Sequence, residues 1–550
     1  MKMEDSPMKI TSKSCVLYAL VLLLLCPALP AQFSETFVDD DFTSPIAPNF
    51  NSIQAAIDNT DASGTVNVAA GLYTETPTNG IPLIVIPPSK SGLKLYGAQR
   101  DVDPRVSFGT TRLTPNGVVE SVIEGNGSSA PNFSLLQIQA SDVVVNGFLF
   151  RGEDPDLVES PNDIDISNIT ISYNIFDNTA DEGLQLRDVT GSLIEYNLFT
   201  DTGGDGLSVC CGSSRAVIQH NELARINTTN AAIYLYSPPA TGLEAIIFNN
   251  LIRDVTNNDA IYMGIRNGDD ANIGGTAGII INNTIHTINH DGIQVFADGL
   301  TIQGNQIYNI APTASGAYGG IAIRDDVSGV FIQNNTIRDS TFMNAESAGI
   351  YIASGVNWTE VSADNNNFIN FNQRAINNLS GTTVTAQRSW WNATDGPDDD
   401  AMIINGSGER ISLNVDASDF VTTPVVGVDS LSELSGDPDF GTTPVRVQVS
   451  RTFSVRNPST TESLFLFEPG FTFSGENPEK FVIAETPNLP RLLQPGEEIV
   501  DAYVLRFTSD NVPDTTFTAT ATLTATGSNP ATLDLIGRTR INVSTGLLTR

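Results

Sequence analysis

The sequence predicts an all-β chain, a parallel β-helix followed by a β-sandwich, on three observations. A β-branched or small residue, two variable positions, Asn, one variable position and an apolar residue recur nine times, at intervals of 22 to 33 residues. The asparagines are Asn146, Asn174, Asn197, Asn221, Asn250, Asn283, Asn305, Asn335 and Asn366. Interleaved with them, a Gly or Ala is followed by apolar, variable and apolar residues, as in GLQL from Gly183, AIYM from Ala260 and GIYI from Gly349. Further on, segments such as VRVQVSRTFSVRN and TFTATATLTATG alternate apolar and polar residues between turns. Each repeat thus holds at least two short strands of period two and no helical stripe, and strands this short bury a face only by stacking coil upon coil.

In chain order, Lys2, Lys9 and Lys13 precede the apolar run Val16 to Leu25, and small residues follow up to Ala31. Residues 1–31 therefore read as a signal peptide, because spanning a bilayer takes about 20 apolar residues. The expectation is export, to the medium or the cell surface, with no membrane insertion after cleavage. Residues 32–425 carry the repeats of the β-helix. The Asn at fixed register leaves a strand at a corner, where it tolerates left-handed backbone and where its amide can bond the same amide about 4.8 Å away in the next coil. That role is structural, and none of the nine is assigned to catalysis. Residues 426–444, rich in Thr, Ser, Gly, Asp and Pro, read as a linker, and 445–550 as the sandwich.

The segments Asn51–Asp58 (NSIQAAID) and Gly64–Glu75 (GTVNVAAGLYTE) resemble the capping helix and first coil of right-handed parallel β-helix proteins of the pectate-lyase-like superfamily. Arg388–Pro397 (RSWWNATDGP) resembles the last coil of its bacterial surface members, so the likeness covers about residues 45–425. It implies a right-handed coil. It does not fix chemistry, since the superfamily holds lyases, hydrolases, esterases, epimerases and non-catalytic adhesins. Asn457, Gly475 with Phe481 and the turn Leu493–Glu497 make the last domain similar to the immunoglobulin-like modules of bacterial choice-of-anchor and cilia-associated proteins, which implies a role in presenting or spacing a neighbour.

With 63 acidic against 28 basic residues and a net charge of −35, the chain repels phosphate backbones and anionic bilayers. Nucleic acid is excluded as a partner, and an acidic partner requires a bridging cation. None of the six lysines lies between Lys94 and Lys480, so a base in the middle of the chain is Arg, His or a carboxylate. The three histidines make no spaced set with the cysteines, which argues against zinc. Outside the signal peptide only Cys210 and Cys211 remain, and adjacent cysteines supply no disulfide framework.

Candidate chemistry sits at the Gly/Ala strands. The residues just before them include Glu182, Asp205, Asp259 and Asp291. Stacking should bring Glu182 to Asp205 and Asp259 to Asp291, and a shared proton or Ca²⁺ would relieve each pair. In the pectate lyases that the chain resembles, Ca²⁺ bridges an acidic enzyme to an acidic polysaccharide. Tyr234, Tyr236, Tyr262 and Phe296 should point away from the core as a row suited to sugar. Arg324 matches in type the proton-abstracting residue of those lyases, and His290 stands beside Asp291 as a second acid–base group. The Gly-His-Gly and Arg-Ile-Lys motifs of the polygalacturonase-like hydrolases are absent. The sequence thus favours recognition of an extracellular polysaccharide, with or without Ca²⁺-dependent β-elimination of a uronate chain. A structural or adhesive surface protein without turnover is the alternative.

Overall fold

The computed structural model describes residues 32–540 except 41–47, 75–81, 106–111, 113–118, 126–133, 153–155, 237–242, 265–277, 426–431, 459–463, 488–490, 494–495, 510–511 and 526–530. The signal peptide and the start of the linker lie outside the described residues.

Each coil contributes one short strand to each of three parallel sheets, which among the described residues hold twelve, eleven and thirteen strands. The first runs from Asn49–Phe50, beside Phe33–Val38, to Phe331–Gln333, the second from Gly71–Tyr73 to Asn367–Ile369, and the third from Ile84–Ile86 to Arg374–Asn378 and the short strands beyond it. Register is in step from coil to coil, with Ile171 opposite Ile194, Phe176 opposite Phe199 and Leu184 opposite Leu207. Period-two alternation turns one or two apolar residues per strand inward, so Ile194, Phe199 and Leu207 are fully buried in one continuous core. Phe176 stacks on Phe199 with ring centroids 4.6 Å apart.

The asparagine ladder is present from Asn174 to Asn366. Each Nδ2 donates to the next Oδ1, as from Asn250 to Asn283 at 3.0 Å, and the same oxygen accepts the backbone N–H of Asn250. Asn146 is not a rung. Its register partner is Ser172, two residues before Asn174, and Phe148 takes the rung position by donating its N–H to Asn174 Oδ1. The left-handed residue is also not the ladder Asn but the one before it, as at Tyr173, Tyr196, His220, Asn249 and Asn282. His220 therefore fills a corner, stacked 4.9 Å from Tyr196.

The helix Ile53–Asn59, capped by Ser52, covers the open first coil with Ile53, Ala56 and Ile57 buried. At the other end Trp391 is buried against Phe368, and Ser389 Oγ accepts from Asn366 N to finish the ladder. Among the described residues the C-terminal domain is two sheets of four and five strands around Phe453, Phe471, Tyr503 and Phe507. It begins earlier than the linker reading placed it. Glu433–Ser435 pairs antiparallel with Gln448–Arg456, and Asp439–Pro444 pairs parallel with Thr532–Arg540. Thr and Gly in 433–444 thus sit in edge strands, where turn-rich composition misled. Among the described residues no helix is long and apolar enough to cross a membrane.

Candidate functional site: the outer face of the third sheet

The third sheet brings the candidate residues onto one face. Ser208, Tyr234, Tyr262 and Gln294 occupy one outward column, and Tyr236, Gly264 and Phe296 occupy the column beside it. The acids before each strand line its edge, where Asp156 stands opposite Ser134 and Asp259 opposite Ala231.

At the N-terminal end of this face, oxygens of Asp156, Asp181 and Glu182 all lie within 4.8 Å of one another. Arg187 is the neighbouring cation, and it is committed to Glu159 at 2.8 Å while staying 3.8 Å from Asp156. Buried Gln185 donates to Glu182 Oε1, yet among the described residues no N–H donates to its own Oε1 or to Asp156 Oδ1, and the hydrogen bond Asp156 makes is to the Glu182 carboxyl. Burial and then the Asp156 charge push Glu182 up to about 10, and burial lifts Asp156 to about 6. The cluster therefore retains a proton near neutral pH or takes a cation in its place. Asp205 does not belong to it. Its carboxylate accepts from Thr228, Asn230 and the Ala231 N–H, donors of the following coil, so the expected Glu182–Asp205 pair is replaced by a cluster reaching back one coil.

Asp259 and Asp291 do meet, but as links in a chain of donors rather than as a cation cage. Asp259 Oδ1 accepts the Asp291 N–H at 2.9 Å, and Asp291 accepts from Gly319 N at 2.7 Å. Arg324 closes on Asp291 in a two-pronged contact, Nε to Oδ2 at 2.8 Å and Nη2 to Oδ1 at 3.0 Å. In one amide orientation Gln294 bridges the two, donating to Asp259 Oδ2 at 2.8 Å and accepting from Arg324 Nε at 2.9 Å. Burial raises both carboxyls, Asp259 furthest because Asp291 lies beside it, while Arg324 pulls Asp291 back. The metal ligation expected of Asp259 and Asp291 is thus taken over by Arg324.

Arg324 is also unsuited to the base role expected of it. Burial opposes its charge, but Asp291 outweighs burial and holds the guanidinium more firmly protonated than usual. Its plane lies 5.1 Å from the Tyr351 ring and 5.5 Å from the Tyr318 ring. His290 has the better chemistry. It is half-buried, stacks on Tyr318 at 4.3 Å, and meets Asn258 Oδ1 through Nδ1 at 3.2 Å. With that oxygen accepting, Nδ1 carries the proton and Nε2 the lone pair. Burial lowers its pKa, so the imidazole is neutral near pH 7.

Between the two clusters runs the aromatic row. Tyr234 and Tyr262 lie 5.0 Å apart, Tyr262 and Phe296 5.2 Å, and Tyr234 and Tyr236 6.3 Å. Tyr234 is not an open platform, being only 8% exposed, whereas Tyr236, Tyr262 and Phe296 remain partly accessible. Gly264 makes the packing possible, because a Cβ there would stand 2.4 Å from that of Phe296. Sequence reasoning missed Asp156, Asp181 and Tyr318. Asp156 was findable, since it heads a strand, Asp156–Glu159, in the same register as the Gly strands but without the Gly. Asp181 and Tyr318 lie in loops whose course no repeat encodes.

The family model for the right-handed β-helix region matches residues 157–253. No curated protein matches the chain. Among solved structures, the A-module of mannuronan C-5 epimerase AlgE6 from Azotobacter vinelandii is similar at 14% identity over 68% of this chain and 94% of its own, with a TM-score of 0.49. A tailspike protein mutant of E. coli bacteriophage HK620, in complex with a hexasaccharide, matches at 12% over 87% and 94%, with a TM-score of 0.36. Pectate lyase Pel9A matches at 10% over 63% and 79%, with a TM-score of 0.32. At these scores the likenesses leave the ligand to be argued from the face itself. The chain is a right-handed parallel β-helix with further β-sheets at its C-terminal end.

Proposed function

We propose that the outer face of the third sheet binds an extracellular uronate-containing polysaccharide. The observation that carries this reading is the continuity of the face. From Glu182 to Asp291 it spans four coil steps, about 19 Å at about 4.8 Å per step, with partly open aromatic rings between a cation-seeking cluster and an arginine-bearing one. Sugar rings stack on the aromatics, and amides and carboxyls bond the hydroxyls.

The oxygens of Asp156, Asp181, Glu182 and Gln185 fit a hard cation, and Ca²⁺ is the ion we assign to them. Bound there, it would supply a positive charge to a uronate carboxylate in an otherwise acidic protein. If the sugar is also cleaved, this happens at the other end of the face, four coil steps from the cation, where His290 Nε2 takes the proton next to the carboxylate of a second uronate unit. A carbon–carbon double bond then forms as the neighbouring C–O bond breaks, and the leaving oxygen keeps the electron pair and is protonated. The two-sheet C-terminal domain serves as an immunoglobulin-like spacer.

A panel of pectic, alginate and glycosaminoglycan chains, with and without Ca²⁺, tests this in two layers. Binding is read by calorimetry, and elimination by the ultraviolet absorbance of unsaturated uronate ends. Binding without new absorbance retains the recognition and removes the lyase. No binding to any glycan leaves a non-catalytic structural or adhesive protein.

A further inference from the structure

At the N-terminal end of the same face the chain makes a turn with two adjacent thiols. Leu207–Cys210 ends in the third sheet with Cys210 opposite Arg187, and Ser213 N donates to Cys210 O at 3.1 Å to close the turn Cys210–Ser213. Both sides are tied to the preceding coil, Ser213 Oγ donating to Leu186 O and accepting from Val189 N. Cys211 is left-handed at φ 61°, and a Cβ on Gly212 would stand 2.2 Å from Asp188 Oδ1, so the turn has little room to relax. Within it the two Sγ atoms lie 2.6 Å apart, about half an ångström beyond a disulfide bond. Cys210 is buried and Cys211 half-buried.

We propose that Cys210 and Cys211 are an oxidative modification site that closes to a vicinal disulfide in the presence of a disulfide oxidant. The two thiols differ in the way such a step requires. The close contact with Cys210 lowers the Cys211 pKa to about 7, and that same contact with burial raises Cys210. Arg187 adds a cation beside both sulfurs. Cys211 thiolate therefore attacks one sulfur of the oxidant, displaces its other half as a thiolate, and holds a mixed disulfide. Cys210 then loses its proton and attacks Cys211 Sγ, releasing the second half. Two protein thiols become one disulfide, and one external disulfide becomes two thiols, so protons and electrons balance. This inference is independent of what the face binds.

The test uses the full chain and oxidised glutathione. Trypsin cutting after Arg187 and Arg215 releases Asp188–Arg215, the peptide that carries both cysteines. Expected is a peptide two hydrogens lighter than the reduced one, inert to iodoacetamide until a phosphine reductant is added. Cys210→Ser should stop at the mixed disulfide and retain one glutathione on Cys211, a product the closed pair does not leave. Two free thiols, or a glutathione on each cysteine of the wild type, would overturn the proposal. Unchanged melting of Cys210→Ser shows that the comparison is made on folded protein.

Discussion

Two carboxylate clusters occupy the same edge of the third sheet, four coil steps apart, and meet the cost of buried charge differently. Around Asp291 the chain supplies its own cation, since Arg324 reaches back with two short contacts. Around Glu182 it does not: Arg187 is engaged by Glu159, and among the described residues no N–H donates to Gln185 Oε1 or Asp156 Oδ1. The same repeat position thus yields a finished ion pair in one place and a site for a proton or a metal in the other. The difference lies in what the neighbouring coil places alongside, not in the repeat.

The largest effect expected concerns the finished pair. Arg324→Met leaves Asp291 buried without its counter-ion and should cost about 3–5 kcal/mol of folding stability in denaturant titrations. Arg187→Met should cost clearly less, because Ser134 and Gln137 still donate to Glu159. Equal losses would erase the contrast. Second, Ca²⁺ at about a hundred times its Kd should stabilise the wild type by about 2.7 kcal/mol. Asp156→Asn with Glu182→Gln should abolish that gain, while Asp259→Asn keeps it, as read from melting temperatures.

The third effect is the pH profile without Ca²⁺. Folded Glu182 titrates at about 10 and Asp156 at about 6, against ordinary values of 4.5 and 3.8. Between those limits the folded state holds protons that the unfolded chain has lost. Stability is therefore complete below about pH 4 and declines as pH rises, fastest between about 4 and 6 where both groups contribute. Relative to wild type, Glu182→Gln should flatten the decline above pH 6, and added Ca²⁺ should do the same by displacing the proton. A wild-type profile rising over this range, relative to Glu182→Gln, would contradict the assignment.

The coil stack was legible because its signal repeats: period two within strands and 22 to 33 residues between coils survive any loop. Finer placement was less so. Asn146 shares the motif of the ladder yet sits two residues out of register, since a residue pattern does not show which position turns inward. The acid column was legible as a column, but its partners were not. Whether Asp205 faces Glu182 or Thr228, and whether Arg324 grips Asp291, depends on side-chain direction at the ends of loops of unequal length. Tyr234 was correctly placed on the outer face, but its burial follows from neighbouring rings that no single repeat contains.

The most direct test of the recognition face is calorimetric titration of short uronate oligosaccharides into wild type and into the double variant Tyr262→Ala, Phe296→Ala. Each ring stacked on a sugar contributes on the order of 1 kcal/mol, so the double variant should bind at least tenfold more weakly while its melting without ligand shows it folded. Equal affinity in the two proteins, or no uptake of any uronate oligosaccharide by the wild type, would contradict the account.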